Sequence, residues 1–252
     1  LKTVTEVAEF WGTLLSGVEK AAEEYGVELK VLTSPREIDI DKQIELIRQV
    51  TADKPDVMIL SAADYDRCAE ATEEAIAAGI GVVAIDTDVN AAGRACFVGS
   101  NSYEIGLEMG RAMASYLPEG GKVAVIQHML TTTTGIERTR GVLDALNEAG
   151  NIEILGSFCC DNSTEQAQTI TTELLSADPE IRGFVCTNEV CNVGAANALV
   201  ELGMGGRVYV VGCDNSQRQI QFLEQNIIQA IVTQRPFNML SLIHISEPTR
   251  PE

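Results

Sequence analysis

Along almost the whole chain, short apolar and β-branched runs alternate with amphipathic stretches at helical spacing. The runs are Glu28–Leu32, Val57–Leu60, Gly81–Ile85, Ala95–Val98, Lys122–Gln127, Ile152–Phe158, Gly183–Cys186, Val208–Cys213 and Ile228–Thr233. Strands this apolar need cover on both faces, and an intervening helix lets one strand run parallel to the next. The first amphipathic stretch places Trp11, Leu14, Leu15, Val18, Ala21, Ala22 and Tyr25 on one face and stops at Gly26. Another, Ser102 to Leu117, ends at Pro118 and the pair Gly120–Gly121. The expected fold class is α/β with parallel sheets.

Composition supports a folded chain: 45% of the 252 residues are hydrophobic and 22% charged, which is enough to bury a core. The net charge of −19, from 37 acidic and 18 basic side chains, repels phosphate backbones, so no nucleic-acid partner is expected for this fragment. The longest unbroken apolar run, Ala75 to Ile85, falls short of the ~18 residues a membrane span needs. Seven cysteines without a C-x-x-C pair speak against a zinc site, and those in strand-like runs read as small buried hydrophobes. Their number suits a reducing environment, either cytoplasm or the exterior of a cell living without oxygen.

One junction breaks the rhythm. The polar segment Asp86–Arg94 and a further strand lead through Gly99–Ser102 into a long helix, a crossover between two lobes. The expected domains are residues 1–103, residues 104–236, and a stub at 237–252. From Leu240 the chain reads LSLIHISEPTRPE, which closely resembles an in-frame translation of a transposase-type sequencing-library adapter. Native sequence is therefore expected to end near Met239.

In open parallel sheets, ligands bind beyond the carboxyl ends of the strands. Those ends are followed here by Ser61, by Asp86 and Thr87, by His128, by Thr187, Asn188 and Glu189, by Asp214, Asn215 and Ser216, and by Gln234 and Arg235. Any one could be a helix cap. Together they suit a small polyhydroxylated ligand. Enzyme readings find little support: the chain has no G-x-G-x-x-G after a strand, no phosphate-loop motif and no G-x-S-x-G elbow. His128 reads as a strand-end polar residue with no nucleophile near it. No cofactor or metal is implied.

Several short motifs carry a family resemblance: Phe10-Trp11 followed by Gly17, Gly81 to Asp86, Phe97 to Asn101 leading into Ile105-Gly106, and Glu137-Arg138 with Gly141. Thr187-Asn188-Glu189, Val210 to Asp214 and Gln234-Arg235-Pro236 complete the set. In this order they resemble the ribose- and galactose-type periplasmic sugar-binding proteins, over about Leu1 to Met239. The resemblance implies two doubly wound lobes with a ligand cleft between them, cut short at both ends, with the first strand and the C-terminal return segments missing. It implies that Phe10 and Trp11 stack on a sugar ring and that Asp86, Arg138, Asn188, Asp214 and Gln234 hydrogen-bond its hydroxyls. Asn162 falls where ribose binders usually place another aromatic, and Thr87 where an arginine is common, so the sugar is left open.

Plainer roles exist for several of these residues: core packing for Phe10 and Trp11, a surface pair with Glu137 or Asp144 for Arg138, and helix capping for Asp86 and Asp214. The resemblance further implies a monomeric binding protein, periplasmic or extracellular, exported behind a signal peptide and in some cases lipid-anchored, that delivers a monosaccharide or similar polyol to a membrane ABC permease. The effector-binding core of a lactose-repressor-type regulator, which would be cytoplasmic, shares the fold and is the alternative.

Overall fold

The structure, a computed structural model, describes residues 9–34 and 36–234. The adapter-like tail and Arg235 lie outside the described residues. The chain divides into two compact units. Unit 1 takes the residues up to Ser100 together with Thr131–Thr133; unit 2 takes Asn101–Leu130 and Thr134–Gln234.

In unit 1, α1 (Glu9–Tyr25) and α2 (Ile40–Asp53) precede β1 (Val57–Leu60), α3 (Ala69–Ala77), β2 (Gly81–Ile85) and β3 (Cys96–Val98). The strands form a parallel sheet in the order β1-β2-β3. Side chains alternate across it. Met58, Leu60, Val82 and Ala84 meet Ile47 of α2 and Ala71 and Ala75 of α3. Ile59 and Ile85 meet Trp11, Leu14 and Val18 of α1 on the other side. The first helix stops at Gly26, whose φ of +64° only glycine adopts without strain.

Among the described residues no strand is recorded at the expected run Glu28–Leu32. Its alternation is strand-like, with Leu29 and Val31 exposed on one side.

Unit 2 contains α4 (Ser102–Tyr116), β4 (Gly121–Gln127), α5 (Thr133–Ala149), β5 (Ile152–Cys159), α6 (Thr164–Ala177), β6 (Ile181–Cys186), α7 (Glu189–Glu201), β7 (Tyr209–Cys213), α8 (Gln217–Glu224) and β8 (Ala230–Val232). Its five strands are all parallel, in the order β5-β4-β6-β7-β8. Val123, Val125, Val185 and Val211 face Ile105, Met109 and Met113 of α4 and Val142 and Leu146 of α5. Their neighbours Ala124, Ile126, Phe184 and Val210 face the opposite way, onto the cluster of Ala167, Ala195, Leu199 and Phe222 from α6, α7 and α8. Helices on both faces of each parallel sheet make the doubly wound α/β architecture that the alternation predicts.

Two contacts within unit 2 explain the glycines of two of the motifs. A Cβ on Gly106 of α4 would fall on the Arg138 carbonyl oxygen of α5, and one on Gly141 would fall on the Tyr103 carbonyl oxygen. The two helices therefore touch backbone to backbone. Helix α7 is buried along nearly its whole length, from Glu189 to Leu199.

Candidate ligand-binding site

Unit 1 holds three of the expected ligand residues. Phe10 and Trp11 sit in the first turn of α1, rings edge to face at 5.3 Å and 88°. Trp11 is only 7% exposed and packs with Leu14, Val18 and Ile85, whereas Phe10 is half-buried beside that cluster. The indole serves the core of the unit, and Phe10 keeps the more accessible ring. Asp86 follows Ile85, so it emerges from the strand that packs on Trp11. Its φ is 61°, a left-handed conformation that Asp tolerates better than most residues, and its N–H donates to the Val98 carbonyl at 2.9 Å.

The loops around Asp86 are held by buried polar side chains. Thr87, fully buried, donates its hydroxyl to the Ala62 carbonyl at 2.7 Å and lies 3.0 Å from the Ser61 hydroxyl. Thr87 thus ties the ends of β1 and β2 together. Gln43 of α2 donates to the Ser61 carbonyl at 2.8 Å and accepts from the Ala63 N–H at 2.7 Å. Asp88 donates its N–H to the Thr133 hydroxyl at 3.0 Å and is ion-paired with Arg94.

Unit 2 brings the other five together at the carboxyl ends of its strands. Asn162, after β5, has a φ of 55°, and its N–H donates to the His128 carbonyl at 2.8 Å. Its side-chain oxygen accepts from the Asn188 side-chain amide at 2.8 Å. Asn188 is also the N-cap of α7, its Oδ1 accepting from the Cys191 N–H at 3.0 Å. Asp214, after β7, has a φ of 76°; its Oδ2 accepts from the Glu189 N–H at 3.2 Å and its Oδ1 from the Gln234 side chain at 2.7 Å. Arg138, buried in α5, donates from Nη1 to the Thr187 carbonyl at 2.9 Å. The surface partners considered for it are engaged elsewhere: Glu137 pairs with Arg140, and Asp144 accepts from the Tyr103 hydroxyl. Burial pushes the Cys213 thiol far up, and the Arg138 charge pulls the other way, which puts that guanidinium near the strand end bearing Asp214.

Behind these residues stand groups that inspection of strand ends passes over. Gln219 donates to the Cys213 carbonyl at 2.7 Å and to the Asn192 side-chain oxygen at 3.0 Å, while its own oxygen accepts from the Ser216 N–H at 3.0 Å. Ser216 and Gln219 form a capping box, whose S-x-x-Q spacing is visible in the sequence. His128 is buried with its ring nitrogens 2.7 Å from the Thr187 hydroxyl and 3.2 Å from the Thr134 hydroxyl. Among the described residues no group of His, Cys, Asp and Glu is arranged to hold a metal ion, and no helix is long and apolar enough to cross a membrane.

Carboxylate, amide and guanidinium groups fixed at strand ends by bonds to the backbone can recognise hydroxyls by direction, since a mismatched partner is left unpaired. The protein family described as periplasmic binding protein domain matches residues 3–242. The D-allose-binding periplasmic protein of Escherichia coli K12 is 26% identical over 94% of this chain and 78% of its own length. The D-ribose/D-allose-binding protein of Pseudomonas aeruginosa is also 26% identical, over 90% of this chain and 73% of its own. Among solved structures, a sugar transporter from Clostridium phytofermentans superposes with a TM-score of 0.88 at 27% identity, covering 98% of this chain and 92% of that one. A periplasmic solute-binding protein from Actinobacillus succinogenes 130z with bound D-allose gives 0.86 at 26% identity, covering 96% and 87%. With the family matched over nearly its whole length, the chain belongs to the periplasmic binding protein domain family.

Proposed function

We propose that this protein captures a monosaccharide or similar polyol outside the cytoplasm and delivers it to the membrane permease of an ABC-type importer. It is a binding protein and not an enzyme. The relatives named for D-allose and D-ribose support the ligand class. The observation within the chain that carries the reading is the hydrogen-bonded set Asn162–Asn188 and Glu189–Asp214–Gln234, polar groups beyond the ends of parallel strands that orient one another through side-chain bonds and the Glu189 N–H. In this reading Asp86, Arg138, Asn162, Asn188, Asp214 and Gln234 bond the hydroxyls. Phe10 stacks on the apolar face of the ring, with Trp11 backing it. Capture proceeds by hinge closure of two lobes, 1–103 and 104–236, selected by ligand contacts to both. The protein acts as a monomer, free or held to the membrane by a lipid.

The test is a calorimetric titration with a panel of pentoses, hexoses and inositols. One or a few closely related sugars should saturate a single site. A folded protein that binds none of them would end the reading. Size exclusion with and without sugar checks the monomer.

A further inference from the structure

Five of the seven cysteines lie in unit 2, and two of them meet. Cys160 Sγ is 3.4 Å from Cys191 Sγ, across 31 positions of sequence, and neither residue has exposed surface. Cys160 is the first residue after β5; its N–H donates to the Gln127 carbonyl and its carbonyl accepts from the Ser163 N–H, both at 2.9 Å. Cys191 lies in the first turn of α7, its N–H held by the Asn188 side chain. The segments bearing the two thiols are therefore the segments bearing Asn162 and Asn188. A disulfide needs its sulfurs at about 2.0 Å, so the two thiols, already in contact at 3.4 Å, need only a further approach to bond.

The two thiols differ in acidity. The Cys191 hydrogen bond, and then the Ser163 and Asn162 N–H groups, hold the Cys160 thiol below its ordinary range, whereas burial pushes Cys191 well up. The family is a periplasmic one, and the periplasm lets disulfides form and persist, which counts against the reducing environment that the cysteine usage suggests.

We infer that Cys160 and Cys191 form an oxidation site that closes to a disulfide and staples the Asn162 turn to the N-terminus of α7. The oxidant is a disulfide-bearing compound, either a small disulfide or an exchange protein. The Cys160 thiolate attacks one of its sulfurs, forming a mixed disulfide and expelling the other sulfur as thiolate. Cys191 loses its proton, attacks the Cys160 sulfur and releases the second thiolate. The oxidant's S–S bond breaks as the protein's forms; two electrons pass to the oxidant and its two sulfurs take up the two protons. Because Cys160 is enclosed, the oxidant enters through opening of the Asp161–Asn162 turn, and reaction is faster during folding than afterwards. The linkage stands by itself; its effect on sugar binding rests on the proposed function.

The full chain, purified under reductant, is incubated with oxidised glutathione during refolding, then unfolded, alkylated and peptide-mapped without reduction. The intact mass should fall by about 2 Da, one peptide pair should join Cys160 to Cys191, and Cys191→Ala should lose the pair. Cys160→Ala is the second control, and circular dichroism first establishes that each variant is folded. Both cysteines fully alkylated after oxidation, or linkages scattered over Cys159 and Cys186, would overturn the site. Titrating sugar into the oxidised and reduced forms reads the consequence separately. Several-fold tighter binding on oxidation is expected; equal affinity removes the stapling role, and a folded protein that binds sugar in neither form counts against the proposed function while leaving the disulfide standing.

Discussion

Asp86 and Asp214 occupy the same local geometry, one in each unit. Each follows the last residue of a strand, each has a positive φ (61° and 76°), and each donates its N–H at 2.9 Å to the carbonyl that ends the neighbouring strand, Val98 and Val232 respectively. A left-handed residue turns the chain sharply as it leaves the sheet. Held strain of this kind clusters where binding groups must be aimed.

The two aspartates therefore call for paired substitutions. Asp→Asn keeps the tolerance for positive φ, so sugar affinity should fall roughly tenfold with little strain added, although at Asp214 the new amide nitrogen can no longer accept one of the two bonds from Glu189 and Gln234, which costs about 1 kcal/mol of stability. Asp→Ala should lose the same contact and cost a further 1–2 kcal/mol or so of stability. Urea melts alongside calorimetry separate the two effects; equal stability of the Asn and Ala forms would remove the strain argument.

Arg138→Ala should weaken sugar binding by about 1.5–3 kcal/mol, roughly ten- to 150-fold, as expected for a lost charged hydrogen bond. Its Nη1 bond to the Thr187 carbonyl also disappears, so a modest fall in melting temperature accompanies it. Unchanged affinity removes Arg138 from the site.

Trp11 is the only tryptophan, so intrinsic fluorescence reports on one place. Although the indole is buried, its edge-to-face partner Phe10 is half-buried, and a sugar stacked on Phe10 alters the indole's surroundings. Saturating sugar should shift the emission. A sugar that binds by calorimetry and leaves the emission unmoved would falsify the aromatic wall.

Gly106→Ala puts a methyl group on the Arg138 carbonyl oxygen, where only backbone can give way. The substitution should cost about 1–3 kcal/mol of stability as α4 and α5 separate. It should also weaken sugar binding more than an equally destabilising change at Val142, since Arg138 moves with its own carbonyl. Equal losses would detach that helix contact from the site.

The Lys122 ammonium hydrogen-bonds Asp178 and holds its carboxyl below the ordinary carboxylate range, helped by the Glu180 N–H. A depressed carboxyl stabilises the fold above its unfolded pKa, and the contribution fades as pH falls through the folded value. Asp178→Asn should therefore lower the melting temperature at neutral pH, and the difference from the parent should shrink as the pH is taken down through and below the ordinary carboxylate range. A difference independent of pH would point to packing instead.

The α/β class was legible because each apolar run had to be covered on two faces, and the structure covers them. That polar side chains gather beyond the strand ends was also legible, since Asn162, Asn188 and Asp214 follow β5, β6 and β7. What composition could not show was partnership. Gln43 and Asn192 each lie fourth in a helix, where an amide looks like solvent-facing surface, yet both are buried, Gln43 bonding the Ser61 carbonyl and Asn192 accepting from the Gln219 side chain. Gln219 carried a signal in its capping-box spacing that a reading confined to strand ends misses. The backbone-to-backbone approach at Gly106 and Gly141 belongs to the packing of two helices, so each glycine in the motif is intelligible only beside the other helix.

The burial of α7 has a thermodynamic consequence. A helix enclosed from Glu189 to Leu199 has little freedom left to lose, and Asn188 caps it with its own side chain. A ligand that reaches Asn188 therefore meets a group whose ordering entropy was spent when the chain folded, and the enthalpy of its hydrogen bond appears in the affinity almost undiminished.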